Sequence, residues 1–227
     1  MTFRNRLQYL LVVRLQISNK AALELILSGK VLVNGISAKS NCELKQTDEV
    51  IFEGKILQKS KKLTYIAFYK PRGIETTLNS EIPDNLKAIL PFEEPLFPVG
   101  RLDKASEGLL LLTNDGTFYD KMLRHENNVE KEYLVKVDKR IDKNFIEKMA
   151  NGITIMGKTT LPCQVRQIDD FTFTIILVQG LNRQIRRMCY KLNYEVLSLI
   201  RVRIAHLKLE NLTTGKFRIL ENFSSEI

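Results

Sequence analysis

Gly100-Arg101-Leu102-Asp103-Lys104-Ala105-Ser106-Glu107-Gly108-Leu109-Leu110-Leu111-Leu112-Thr113-Asn114-Asp115-Gly116 is the stretch on which the reading of this chain turns. Leu109 to Leu112 is a short continuous apolar run bounded by turn residues, which predicts a strand buried on both faces. Gly100 and Gly108 bracket a polar segment and give it the backbone freedom of a tight loop. Asp103 is thereby placed beside the core, with a rigid strand following it and the cations Arg101 and Lys104 as its neighbours. Nearby positive charge favours the ionised carboxylate. Such a carboxylate next to a buried strand suits a nucleophile or an electrostatic stabiliser better than an acid. The alternative is a structural Asp that caps a turn and pairs with Arg101, which is the commoner outcome for a loop Asp without further context.

Composition narrows the classes. The chain has 227 residues and no long apolar span, so one or two soluble domains with adequate cores are expected, with no membrane partner. The opening Met1-Thr2-Phe3-Arg4 lacks the uninterrupted apolar region of a signal peptide. Cys42, Cys163 and Cys189 are far apart, odd in number and without metal-ligand spacing, and only His125 and His206 could join them. No metal site is expected, and free thiols point to a reducing cytoplasm. Lys and Arg number 35 against 26 Asp and Glu, a net charge of +9. That basic balance favours a polyphosphate partner such as nucleic acid.

Working outward from the loop, residues 1–58 read as a small separate module. Arg6 to Leu11 has helical character; Ser18 is placed to cap a second helix through Ala22, Leu25 and Ile26 that stops at Gly29. Val31-Leu32-Val33, Asn34-Gly35 and Ile36 carry the signature of a two-residue hairpin turn, and Asp48 to Phe52 reads as a closing strand. Residues 59–63 have the composition of a linker. The second domain, 64–227, opens with the strand Thr64 to Tyr69 and the turn Lys70-Pro71-Arg72-Gly73, whose simplest role is structural. Pro83, Pro91, Pro95 and Pro98 predict an irregular path around a short helix up to the loop. Beyond it, Asn114 or Asp115 should cap a helix through Phe118, Met122 and Leu123. Glu130 to Val137 alternates as a half-buried strand with Tyr133, Val135 and Val137 on one face. A helix over 141–152 and strands near Ile153–Met156, Pro162–Gln167, Phe171–Val178, Leu207–Leu209 and Phe217–Leu220 complete the reading.

Gly180 to Cys189 holds the other cluster of interest. Ile185, Met188, Cys189 and Leu192 recur as one apolar helix face, leaving Arg183, Arg186, Arg187 and Lys191 largely elsewhere. With Arg201 and Arg203, residues 181–203 carry six cations against Glu195 alone, the best candidate phosphate surface in the sequence. A solvated charged helix face is the equally weighted alternative.

Four elements, in order, resemble a known family. Gly-Arg-Leu-Asp-Lys-x-Ser-x-Gly-Leu-Leu-x-Leu-Thr-Asn-Asp-Gly over 100–116, Lys70-Pro71-x-Gly73, Lys131-x-Tyr133 and Asn182-Arg-Gln-Ile-Arg-Arg-Met188 are similar to the motifs of the RsuA/RluB/RluE/RluF family of ribosomal RNA pseudouridine synthases. The first helices, hairpin and closing strand resemble the S-four-type RNA-binding domain that often precedes that family's catalytic domain. The resemblance implies an α+β fold: a curved, mostly antiparallel sheet in two subdomains with the active-site cleft between them, behind the small N-terminal α/β module. It implies Asp103 as the catalytic residue, Arg186 as the partner that pairs with it, and Tyr133 packed against the flipped uridine. It implies an apolar residue under the base, Leu199 first and Ile200 second. Arg101, Arg183, Arg187, Arg201, Arg203 and Lys20 are the remaining substrate-binding candidates; Lys20 is the only cation left in a turn where S-four domains commonly carry arginines.

Isomerisation of uridine consumes nothing, so no cofactor is expected. The implied partner is ribosomal RNA, with "Leu-Ile-Arg-Val-Arg" over 199–203 leaning towards the large subunit; small-subunit rRNA, pre-ribosomal particles and tRNA are alternatives, and the expected state is a cytoplasmic monomer. Attack by Asp103 on the base, attack on the anomeric carbon, and proton abstraction to a glycal are all compatible with these residues. A glycosidase normally uses two flanking carboxylates, and no second one is evident. A non-catalytic ribosome-assembly factor would have lost Asp103, Tyr133 or Arg186.

Overall fold

The apolar run is the centre of the large sheet. In the computed structural model, which describes residues 3–123, 128–221 and 223, the chain forms two compact units, 1–63 and 64–227.

The first unit pairs α1 (Leu7–Leu15) with α2 (Asn19–Leu27). Ser18 Oγ accepts the Ala21 N–H at 3.2 Å, capping α2 as its sequence position requires. A four-stranded sheet follows, in the order β2 (Ile36–Ser37), β1 (Val31–Val33), β3 (Val50–Phe52), β4 (Lys55–Gln58). Asn34 and Gly35 both take positive φ, 52° and 77°, as their two-residue turn demands. β4 was not expected, because Lys55 and Gln58 at its ends hide a strand whose only buried residue is Leu57. The stretch expected as a free linker is fastened back on this unit. Ser60 Oγ donates to the Thr47 carbonyl at 2.7 Å, and the Lys61 N–H to that of Gln46 at 3.0 Å.

In the second unit, β5 (Tyr65–Lys70), α3 (Leu86–Ile89), β6 (Phe97–Val99) and β7 (Glu107–Thr113) build one half. α4 (Gly116–Leu123) leaves it, capped by Asp115, whose Oδ1 accepts the Thr117 and Phe118 N–H groups at 2.9 and 3.2 Å. β8 (Lys131–Val137), α5 (Lys143–Asn151), the hairpin β9 (Thr154–Ile155) and β10 (Lys158–Thr159), β11 (Gln164–Gln167), β12 (Thr172–Leu177), α6 (Gln184–Lys191) and β13 (Val196–Ile204) build the other. β14 (Leu207–Lys208) folds back on β13, and β15 (Phe217–Ile219) on β5. The large sheet runs β11-β12-β8-β13-β7-β5-β15, antiparallel except where β13 meets β7. This is the α+β, mostly antiparallel architecture expected. β6 was missed because Pro98 argues against a strand; it survives as a partner on the flank of β7, where a missing N–H is tolerated.

Each half has its own core. Ile66, Phe68, Leu86, Leu110 and Leu112 fill one; Val135, Phe145, Phe173, Met188 and Leu199 fill the other. The parallel seam between them is short, with Ile200 opposite Glu107 and Arg201 opposite Gly108. Gly108 has φ +109°, and a Cβ there would sit 2.4 Å from the Arg201 carbonyl oxygen and 2.6 Å from its nitrogen. Only glycine admits that approach. Gly108→Ala should therefore lower unfolding stability by about 3 kcal/mol or more through combined strain and overpacking. Denaturant unfolding of purified protein checks it, and an unchanged midpoint would refute the close seam.

Candidate active site

Asp103 to Ser106 close a turn, the Ser106 N–H donating to the Asp103 carbonyl at 2.9 Å, with Asp at the first position that such turns favour. The neighbouring carbonyls are held from elsewhere. Thr76 Oγ1 donates to Leu102 O at 2.6 Å and accepts the Leu102 N–H at 3.2 Å. The Gly73 N–H donates to Lys104 O at 2.7 Å, and Arg186 Nη2 to Ala105 O at 2.8 Å. Arg201 Nη1 makes a longer contact, 3.4 Å, with Arg101 O. Every carbonyl from 101 to 105 thus has a donor, and four of the five donors come from outside the loop.

The side chain they position is left free. Asp103 is half-buried, and among the described residues its carboxylate has no hydrogen-bond or ion-pair partner. Its sequence neighbours are committed elsewhere: Arg101 pairs with Glu75 at 3.1 Å and Lys104 with Asp84 at 3.0 Å. The structural alternative, an Asp103–Arg101 pair, is not what forms. The expected direct pair with Arg186 does not form either. The Arg186 fork donates to two carbonyls, Ala105 O and Val196 O at 2.9 Å, and its Nε is buried without a partner. Arg186 acts on Asp103 through the backbone of its loop and through its field. Burial, then the charges of Arg183 and Arg72, lowers the Arg186 pKa, and Asp103 opposes them.

A second cation, this one buried, interacts electrostatically with the same carboxylate. Lys70 is fully buried at the end of β5, its Nζ donating to Pro71 O at 2.8 Å and Ile74 O at 2.7 Å. Burial pushes its pKa down to about 8, against the pull of Glu75, Glu107 and Asp103, while Arg201 adds to the lowering. Sequence reading gave the Lys-Pro-x-Gly turn a structural role and did not single out Thr76. A lysine ending an apolar strand and one threonine in a loop carry no local signal of what they meet.

A cleft of about 860 Å³ lies beside the loop, lined by Gly100, Arg101, Lys131, Tyr133, Val178 and Arg201 among others. Tyr133 is half-buried and pairs in register with Ile175 on one side and Arg201 on the other. Three of the expected substrate-binding residues are engaged within the protein. Arg201 is 3 % exposed, with Nε on Leu109 O at 2.7 Å, so it braces the loop and the start of β7 from the wall of the cleft. Arg203 is bound by Glu130 and Glu132, both at 2.9 Å. Leu199 is buried and pairs with Val135, in the core under α5 and α6. Arg183 is exposed; Arg187 is tied to Asn182 O and Oδ1; Lys20 is exposed on the first turn of α2, in the other unit. His125, the histidine weighed as a metal ligand, lies outside the described residues.

Residues 64–191 match the family described as RNA pseudouridylate synthase. This chain belongs to that family. It is 40 % identical over 224 residues to the dual-specificity RNA pseudouridine synthase RluF of Escherichia coli K12, covering 92 % of this chain and 77 % of that one. It is 33 % identical to the ribosomal large subunit pseudouridine synthase B of Bacillus subtilis, over 89 % and 86 % of the two chains. A crystal structure of a pseudouridylate synthase superposes with a TM-score of 0.67 at 28 % identity, covering 95 % of each chain. The family therefore extends over the first unit as well as the second.

Two measurements test the scaffold. Thr76→Val removes the hydroxyl at constant shape and leaves both Leu102 groups short of a partner, so turnover should fall about tenfold with little change in KM, while Thr76→Ser restores it. An equal loss in both variants would mean the hydroxyl is immaterial. For Lys70, a pKa of about 8 against an ordinary 10.5 means the unfolded chain binds more protons across that window. Stability should then rise with pH there, and wild type should gain about 2 kcal/mol on Lys70→Met between pH 8 and 10, read by urea titration.

Proposed function

We propose that this chain, a pseudouridine synthase and so an isomerase, converts uridine to pseudouridine in ribosomal RNA, on the large subunit, with Asp103 as its catalytic residue. The observation that carries this reading is a carboxylate with no partner of its own among the described residues, held by the anchored backbone from 101 to 105 within the field of buried Lys70 and half-buried Arg186. The names of the Escherichia coli and Bacillus subtilis relatives support the substrate.

The chemistry asks for such an arrangement. The bond from the anomeric carbon to nitrogen 1 of uracil breaks, the base turns, a carbon–carbon bond forms to carbon 5, and the proton on carbon 5 leaves while nitrogen 1 gains one. The electrons balance within the nucleotide. Asp103 serves as the nucleophile or as the base that removes a sugar proton. Either role needs an ionised carboxylate that is not neutralised by a direct ion pair. Lys70 and Arg186 supply positive potential while spending their hydrogen bonds on carbonyls, so they leave the carboxylate oxygens uncovered. The target base must leave its stack, and Tyr133 offers it an aromatic surface in the cleft, with Arg101 at the wall.

The enzyme is read as a cytoplasmic monomer whose substrate is rRNA, free or in pre-ribosomal particles. Residues 1–58 are read as an S-four-type RNA-binding module in which exposed Lys20 meets the backbone. The dual specificity in the name of the Escherichia coli relative favours assaying tRNA beside rRNA.

Release of tritium from carbon-5-labelled uridine in bulk rRNA tests the reading. Wild type should release it, and Asp103→Asn should lose on the order of a thousandfold or more in rate while still binding RNA. No release from rRNA, immature particles or tRNA by a folded wild type would sink the assignment.

A further inference from the structure

A second groove, of about 830 Å³, lies away from the cleft that holds Tyr133. One wall is the outer face of α6, another is the β9–β10 hairpin, and Lys139 with Asn193 to Val196 completes it. Cations outnumber carboxylates in its lining by five to two. They are not equivalent. Arg186 is turned inward to the loop, Arg187 is held by Asn182, and Lys139 donates to Asn193 O at 2.7 Å. Arg183 and Lys191 are exposed and have no partner among the described residues.

Between those two cations stands Tyr190, 78 % exposed, the most open of the large hydrophobic side chains described. Arg187, Tyr190 and Lys191 follow one another at i, i+3 and i+4 on one face of α6, opposite the buried Ile185, Met188 and Cys189, and Arg183 sits at the N-cap of the helix with φ 51°. Across the groove Met156 is 65 % exposed. It occupies the first position of a two-residue turn at φ 50°, which Asn, Asp or Gly would take with less strain. Two large apolar side chains are thus open to water among free cations.

That combination distinguishes between partners. Cations alone would serve an acidic peptide or a duplex, but neither offers a flat apolar face to Tyr190. An unpaired nucleotide offers both, a base to stack and a phosphate on each side. We propose that this groove is a second RNA subsite, which holds an unpaired nucleotide outside the target uridine, its base on Tyr190 and its phosphates on Arg183 and Lys191. The assignment rests on the reading of the chain as an RNA-modifying enzyme, and it adds a contact that fixes which unpaired segments the enzyme grips.

The chain contains no tryptophan, so Tyr190→Trp in the full-length Asp103→Asn protein gives one indole whose emission reads stacking without turnover. Single-stranded oligoadenylate should quench it saturably, with duplex RNA of equal phosphate content and polyglutamate as comparison probes. Tyr190→Ala should weaken oligoadenylate binding about tenfold while Tyr190→Phe holds it. Replacing both Arg183 and Lys191 with Ala should reduce the slope of log affinity against log salt by about 1.4. Absence of quenching, or equal quenching by duplex, overturns the proposal, and stronger binding of polyglutamate would assign the groove to an acidic protein. Tritium release from rRNA by the wild type is scored separately, so that failure here leaves the catalytic reading intact and the reverse also holds.

Discussion

The structure depends on the contact between Gly108 and the backbone of Arg201. It joins two halves, each with its own apolar core, through a parallel seam that registers only two residue pairs. A side chain on residue 108 would hold the strands apart, and the loop that leads into β7 would lose its floor. Because the seam fixes where β7 begins, it also fixes where the turn at Asp103 ends. Arg201 reinforces the junction from below, bonding Leu109 O in the strand and reaching Arg101 O in the loop. A buried guanidinium is costly unless its donors find acceptors, and backbone carbonyls of a sharply turned segment are acceptors that no regular ladder can satisfy. The two requirements meet at Nε and Nη1, while Nη2 is buried with no partner among the described residues.

From this follows the way Asp103 is positioned. A carboxylate can be fixed by tying its oxygens to donors, which lowers its basicity and covers the atoms that must react. Here the ties are made to the chain on both sides of it, through Thr76 at Leu102, Gly73 at Lys104 and Arg186 at Ala105. The oxygens stay available. Positive potential comes from Lys70 and Arg186, whose hydrogen-bonding capacity is largely absorbed by carbonyls. Lys70 meets the cost of its burial in a depressed pKa, so near neutral pH it still carries most of its charge, where the site needs it. Arg101 and Lys104, adjacent in sequence, contribute less because each is matched by an acid of its own in solvent-exposed pairs.

Much of this was legible in the residues. The apolar run, the loop before it, the Ser18 and Asp115 caps, the Asn34-Gly35 turn and the apolar face of α6 follow from periodicity and local backbone chemistry, and each forms where it was expected. What local pattern could not supply was the fate of each cation. Six of them crowd 181–203, and the sum reads as a phosphate surface. In space Arg203 meets Glu130 and Glu132, some seventy positions earlier, and Arg201 turns under a loop a hundred positions earlier. A charge in a sequence states what a side chain can bond, while the partner is chosen by the sheet order. Leu199 is buried in the core, and an alternating strand shows which residues face inward but not where the core ends and the cleft begins. β4 and β6 were hidden for local reasons, charged ends in one and a proline in the other.

The division of labour on α6 shows how one helix serves the core, the loop and the solvent at once. The helix has three faces with three destinations. Ile185, Met188 and Cys189 bury into the core and set the helix against the sheet; burial pushes the Cys189 thiol up to about 12, as expected of a packing residue. Arg186, at the margin of that face, is carried to the Asp103 loop by the same packing. Lys191, on the third face, and Arg183, at the N-cap, are left exposed to solvent. A displacement of the helix along its axis by one residue would exchange these roles, because a step of 100° moves an apolar side chain out and a cation in. The apolar stripe therefore specifies more than stability. It determines which arginine reaches Ala105, and so couples core packing to the placement of Asp103, a dependence that makes volume changes at Met188 or Ile185 felt at the carboxylate without touching it.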